Sequence, residues 1–161
     1  MQYTQEQIKE QFTQMVTEQQ SHYYRLAYSY TKNRDSAMDI VQEAIVKAMP
    51  KLTTLRNPDY MKTWFYRIVI NESLSHLRKH RRNIVEEDLS FLSVEDTDAS
   101  DAIDLYRAVD KLEPKLRTVI LLRFYEDMKL DEIAQVTHTN INTVKSRLYK
   151  ALEQLKPWIA E

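Results

Sequence analysis

Apolar residues recur along the chain in steps of three and four, the period of an amphipathic helix. The clearest run is Ala37, Ile40, Val41, Ala44, Ile45 and Ala48, which share one face of a helix expected to begin at Asp35. Before it, Phe12, Met15 and Val16, then Tyr23, Leu26, Ala27 and Tyr30, mark two earlier helices that Thr4 or Ser21 can cap. Thr31 to Arg34 reads as the turn between. Pro50 and Pro58 bracket a loop, because the residue before a proline is pushed out of α geometry. A long helix follows, from about Asp59 to Arg82. From Asn83 to Ser100 the periodicity is lost, although Phe91 and Leu92 could dock on a neighbouring surface. Four more helices are expected, near Ala102–Leu112, Pro114–Tyr125, Leu130–Val136 and Ile141–Lys156, with Pro114 suited to a first helical turn.

Composition sharpens this pattern into a fold class. The 161 residues contain no glycine. Tight hairpins need positive φ and usually take it from glycine, so a β-rich fold is excluded and the chain reads as all α. There is no cysteine, hence no disulfide framework or thiolate site. The polar stretch Met1–Glu10 does not read as a signal peptide, and no apolar run approaches membrane-spanning length; a soluble, cytoplasmic protein is expected.

A net charge of −1 conceals strong segregation. Asn83 to Asp104 holds eight acids and no base, whereas Asn71 to Arg82 holds Arg78, Lys79, Arg81 and Arg82 against Glu72. The last helix carries Lys145, Arg147, Lys150 and Lys156 against Glu153. Two basic patches thus flank an acidic middle, and each could meet a polyanion. The expected organisation is an N-terminal helical domain over 1–82, an acidic linker over 83–101, and a second helical domain over 102–161.

Within the second domain, Ile133 to Leu152 fits a helix-turn-helix. Ile133, Ala134 and Val136 can pack on Val144, Leu148, Leu152 and Leu155. The turn requires a left-handed residue, which His138 can supply, and Asn140 can cap the second helix. Asn142, Lys145, Ser146 and Tyr149 then fall on one stripe near the helix start, with Lys150 beside it. Side chains there can reach base edges: lysine to guanine, asparagine to adenine, an aromatic to the thymine methyl. The bland alternative is a solvated face of a structural helix.

The long helix carries a second stripe, Trp64, Arg67, Asn71, Ser75, Arg78 and Arg82. An aromatic at one end and guanidinium groups at the other suit a partly unpaired strand, with bases stacked and phosphates paired. Taken alone, Trp64 and Phe65 would read as core.

Three segments in order, YRLAYSYTKNRDSAMDIVQEAIVKA, TWFYRIVINESLSHLRKHRR and LEPKLRTVILLRFYEDMKLDEIAQVTHTNINTVKSRLYKAL, resemble the polymerase-binding, promoter-melting and second DNA-binding segments of the extracytoplasmic-function sigma factors. The resemblance spans about residues 20 to 156 and is similar to members from low-GC Gram-positive bacteria, some of which answer envelope stress. It implies that Asp39, Gln42 and Glu43 meet the clamp coiled coil of core RNA polymerase. It implies that the loop Leu55, Arg56, Asn57 to Asp59 captures a flipped base of the downstream promoter element, which Asn71 helps to read. Lys145, Ser146, Tyr149 and Lys150, beside Asn142 and Thr143, correspond to the upstream-element readers, and Arg123 to a phosphate contact. An anti-sigma factor, often membrane-anchored, is the implied regulator.

Other classes fit less of the chain. A stand-alone helix-turn-helix regulator would explain the C-terminal half and leave the Trp64–Arg82 stripe idle. His76 and His80 at i, i+4 permit a metal site, but no third ligand is spaced to join them. No cofactor, metal, small-molecule ligand or catalytic residue is expected, and a pure interaction protein stays open.

Overall fold

The computed structural model describes residues 3–84 and 101–159. Most of the expected linker, including Phe91 and Leu92, lies outside the described residues. Eight α-helices, and no strand, occur among the described residues. The chain divides into two compact units, one comprising Met1–Leu77 with Gln135–His138, the other Arg78–Ala134 with Thr139–Glu161.

The first unit begins with α1 (Gln5–Glu18), started by a full capping box. The Gln7 amide N–H donates to Thr4 Oγ1 at 3.1 Å, and the Thr4 N–H donates back to Gln7 Oε1 at 2.9 Å. Ser21 caps nothing; it lies inside α2 (Gln20–Thr31), which follows after a single residue. Lys32 then takes a left-handed φ of 55°, and Asn33 caps α3 (Arg34–Lys51) by accepting from the Ser36 N–H at 2.9 Å.

α3 runs through Pro50, contrary to the expected loop. A proline constrains the residue before it and removes one donor, yet a final turn can absorb both. Two 3-10 turns, Leu52–Thr54 and Pro58–Tyr60, lead into α4 (Met61–Ile84).

The core of this unit is aromatic where α1, α2 and α4 meet. Phe12 meets Phe65 edge-on at 5.2 Å, and Tyr23 meets Phe65 at 4.8 Å and Tyr66 at 5.1 Å. Such edge-to-face pairs each contribute about 0.5–1.5 kcal/mol beyond burial. α2 and α3 also pack on each other, and three of their alanines, Ala27, Ala37 and Ala44, are fully buried.

The second unit includes the end of α4, then α5 (Asp101–Lys111) and α6 (Pro114–Ile120). Ala108 and Val109 of α5, with Leu112 just after it, cluster with Leu116 and Ile120 of α6 and with Ala151 and Leu155 of α8 (Ile141–Ile159). Leu148 and Leu152 join this cluster, so the rear of α8 is held by α5 and α6. The buried Arg117 guanidinium donates to the Asp110 carbonyl at 3.0 Å, placing a cation at the end of α5 where carbonyls lack helical partners.

Beyond α6 the helix widens into a π turn, Leu121–Tyr125, where the expected pattern continued as plain α. The chain then reverses at Asp127, with φ 52°, and enters α7 (Leu130–Thr137).

Candidate nucleic-acid interface

The turn between α7 and α8 is built from its own polar atoms. The Thr139 N–H donates to the Ala134 carbonyl at 3.0 Å, and His138 adopts φ 58°. Asn140 Oδ1 accepts from the Thr143 N–H at 2.8 Å and starts α8. Both roles follow the sequence expectation for a turn without glycine. Val144, fully buried, fixes the inner side of the helix.

The opposite side faces solvent. Asn142, Lys145, Ser146, Tyr149 and Lys150 are exposed, Tyr149 to 69%, while Thr143 is half-buried beside its cap. An exposed amide, two ammonium groups, a hydroxyl and a phenol thus lie along the first three turns. The positive end of the helix dipole favours phosphate at the same place.

Along α4, Arg67, Asn71 and Arg78 are exposed, and Ser75 is half-buried. Trp64 is half-buried and meets Phe12 edge-on at 6.2 Å, so part of its ring serves the core. Arg82 belongs to α4, but its side chain lies outside the described residues.

The loop before α4 divides its residues. Arg56, Asn57 and Asp59 are exposed, and Asn57 Oδ1 accepts from the Asp59 N–H at 3.0 Å. Leu55, in contrast, is buried, and its side chain anchors the loop by packing. Arg123 likewise has a structural bond, donating from Nη1 to the Met128 carbonyl at 3.0 Å and bracing the reversal before α7.

Asp39, Gln42 and Glu43 are exposed on α3, opposite its apolar stripe. Sequence reasoning missed their apolar neighbours. Met38, Val46 and Met49 are also exposed, and with Gln42 they recur at steps of four, four and three. Their lying outside the buried stripe was the available signal.

An ion pair between α3 and α4 was missed as well. Lys47 Nζ donates to Glu72 Oε1 at 2.5 Å, and this bond, with the nearby carboxylates of Glu72 and Glu43, raises the Lys47 pKa. Among the described residues, no three His, Asp or Glu side chains converge on a potential metal position, and no helix is long and apolar enough to cross a membrane.

Comparison with known proteins places the chain in a family. The chain matches the Sigma-70 region 2 model over residues 15–83 and the Sigma-70, region 4 model over residues 102–155. It is 46% identical over 143 residues to RNA polymerase sigma factor SigV of Bacillus subtilis strain 168, covering 88% of this chain and 86% of that one. It is 29% identical over 150 residues to the ECF RNA polymerase sigma factor SigW of the same organism, covering 83% and 80%. Among solved structures, sigma factor RpoE from Bartonella quintana, crystallised with the anti-sigma factor NepR, superposes with a TM-score of 0.77 at 26% identity, covering 93% of this chain and 98% of that one. With an all-helical fold, a capped helix-turn-helix and both sigma regions in order, the chain belongs to the sigma-70 family, as an extracytoplasmic-function sigma factor.

Proposed function

We propose that this chain binds core RNA polymerase in the cytoplasm and directs it to particular promoters, with residues 1–82 and 102–161 acting as separate modules on the 83–101 linker. The exposed face of α8 reads the upstream element through Asn142, Thr143, Lys145, Ser146, Tyr149 and Lys150. The α4 stripe and the preceding loop take the melted downstream element. Asn71 contacts bases, Arg67, Arg78 and Arg82 contact phosphates, and the open part of Trp64 offers a stacking surface. Arg56, Asn57 and Asp59 rim the position of an extruded base. Capture of unpaired bases offsets an unstacking cost of a few kcal/mol. Asp39, Gln42 and Glu43 dock on the polymerase.

The observation that carries this reading is the pairing of one exposed basic and amide face in each unit with a family match to both sigma regions. Each face can neutralise only a few phosphates, so free DNA binding is weak and strongly salt-dependent, and polymerase supplies the remaining contacts.

Regulation by an anti-sigma factor follows by likeness to the relative crystallised with one. A membrane-anchored regulator and a role in stress response complete the proposal. Sigma factors are not a family of catalysts, and this reading assigns the chain no reaction of its own. Run-off transcription with purified core polymerase on genomic fragments tests it. Specific transcripts that require the chain support it, and duplex binding by the chain alone without any stimulation of polymerase overturns it in favour of a stand-alone regulator.

A further inference from the structure

α4 carries one acidic residue, Glu72, among six bases, Lys62, Arg67, Arg78, Lys79, Arg81 and Arg82. That single carboxylate follows Asn71 directly, on the helix whose exposed face is read above as the path of the melted strand. An unneutralised carboxylate there would sit five and six residues from Arg67 and Arg78, about 7.5 and 9 Å along the helix axis, where its field is only partly screened. Its repulsion would oppose strand capture.

The structure supplies a counter-charge from elsewhere in the chain. Lys47, on α3 and 25 residues away in sequence, donates to Glu72 Oε1 at 2.5 Å. The Lys47 side chain is 49% exposed and that of Glu72 17%, so the carboxylate is the more enclosed partner. Exposed pairs of this kind add little to stability, so any larger effect of this one is sought in the charge it presents along α4. Lys47 also follows Glu43 by one helical turn, and both carboxylates raise its pKa, so it stays cationic through the neutral range.

We propose that Lys47 is a positioning residue for promoter opening: it masks the Glu72 carboxylate, so that the charge along α4 favours the unpaired strand at Asn71 and its neighbouring arginines. The inference rests on the melting role assigned to α4 above. It adds a residue from the polymerase-docking helix that touches neither base nor phosphate.

The experiment uses holoenzyme assembled from core polymerase and the full chain, on a promoter fragment that wild-type holoenzyme transcribes. Permanganate reactivity of unpaired thymines reports opening at about 50 and 300 mM salt, with gel filtration reporting polymerase binding. Lys47→Met should slow opening roughly threefold at the lower salt and less at the higher, with polymerase binding unchanged. Lys47→Met combined with Glu72→Gln should restore the wild-type rate, because the repulsive charge is gone. Glu72→Gln alone should open at least as fast as wild type.

A pair that serves only as a brace would leave the double variant as slow as Lys47→Met and make Glu72→Gln slow too; either result overturns the proposal. Should Lys47→Met fail to fold, the single Glu72→Gln comparison decides. Wild-type holoenzyme that transcribes while both variants behave normally rejects the masking role alone. Failure of the wild-type chain to support any transcription rejects the underlying reading and the masking role with it.

Discussion

Asn140 Oδ1 accepts from the Thr143 N–H at 2.8 Å, two residues after His138 turns the chain through a left-handed φ of 58°. The start of α8 is therefore set by one amide oxygen, and the register of Asn142, Lys145, Ser146 and Tyr149 depends on it. Removing the acceptor with Asn140→Ala should cost about 1 kcal/mol, whereas Asn140→Asp should be nearly neutral. For a unit of this size that corresponds to a drop of about 4–8 °C in Tm, readable by circular dichroism.

His138 itself carries a steric cost that glycine would not. A left-handed residue with a Cβ is disfavoured by roughly 1–2 kcal/mol, partly offset by the greater freedom glycine gives the unfolded chain. His138→Gly should stabilise the protein by about 0.5 kcal/mol, and His138→Val should destabilise it by more than that. Urea midpoints at constant m-value distinguish the two.

Lys145 and Arg78 should fail in different ways. Lys145→Ala removes a candidate base contact worth about 1–3 kcal/mol, so promoter preference should relax at one upstream position. Arg78→Ala removes a candidate phosphate contact, so binding should weaken on all sequences and the salt slope of holoenzyme binding should fall by about one. Holoenzyme titrations on a library of single-base variants read both effects.

Arg123 has a structural bond that can be separated from a DNA role. Loss of its donation to the Met128 carbonyl should destabilise the second unit by about 1–3 kcal/mol in Arg123→Ala. An unchanged Tm with a reduced salt slope would instead identify a phosphate contact as its main function.

The aromatic junction of the first unit should be much less tolerant. Phe12 is 1% exposed and meets both Phe65 and Trp64, so Phe12→Ala should cost about 3–5 kcal/mol. Denaturant unfolding should show the loss.

The helices were legible because each depends on a local period: Ala37 to Ala48 is one stripe in sequence and one buried face in the fold. The Thr4 and Asn140 caps and the left-handed His138 were legible for the same reason, since side-chain chemistry within three residues determines them. The rest depends on distant partners. The passage of α3 through Pro50 could not be read from residues that only disfavour it. The π turn at Leu121–Tyr125 leaves apolar periodicity intact and so left no trace in the pattern. The burial of Leu55 depends on packing partners that its own loop does not name. The Lys47–Glu72 pair spans 25 residues, beyond the reach of any helical period.

The two tryptophans of the chain fall one in each unit, Trp64 against Phe12 and Trp158 near the end of α8 at 46% exposure. Each half therefore contains its own intrinsic fluorophore, one partly shielded by ring packing and the other open to water. Emission from a Trp158→Phe chain would follow the Trp64 half alone, and that from a Trp64→Phe chain the Trp158 half. Quenching by iodide could then report which half an arriving inhibitor covers first, without attaching a dye to a chain that has no cysteine to label.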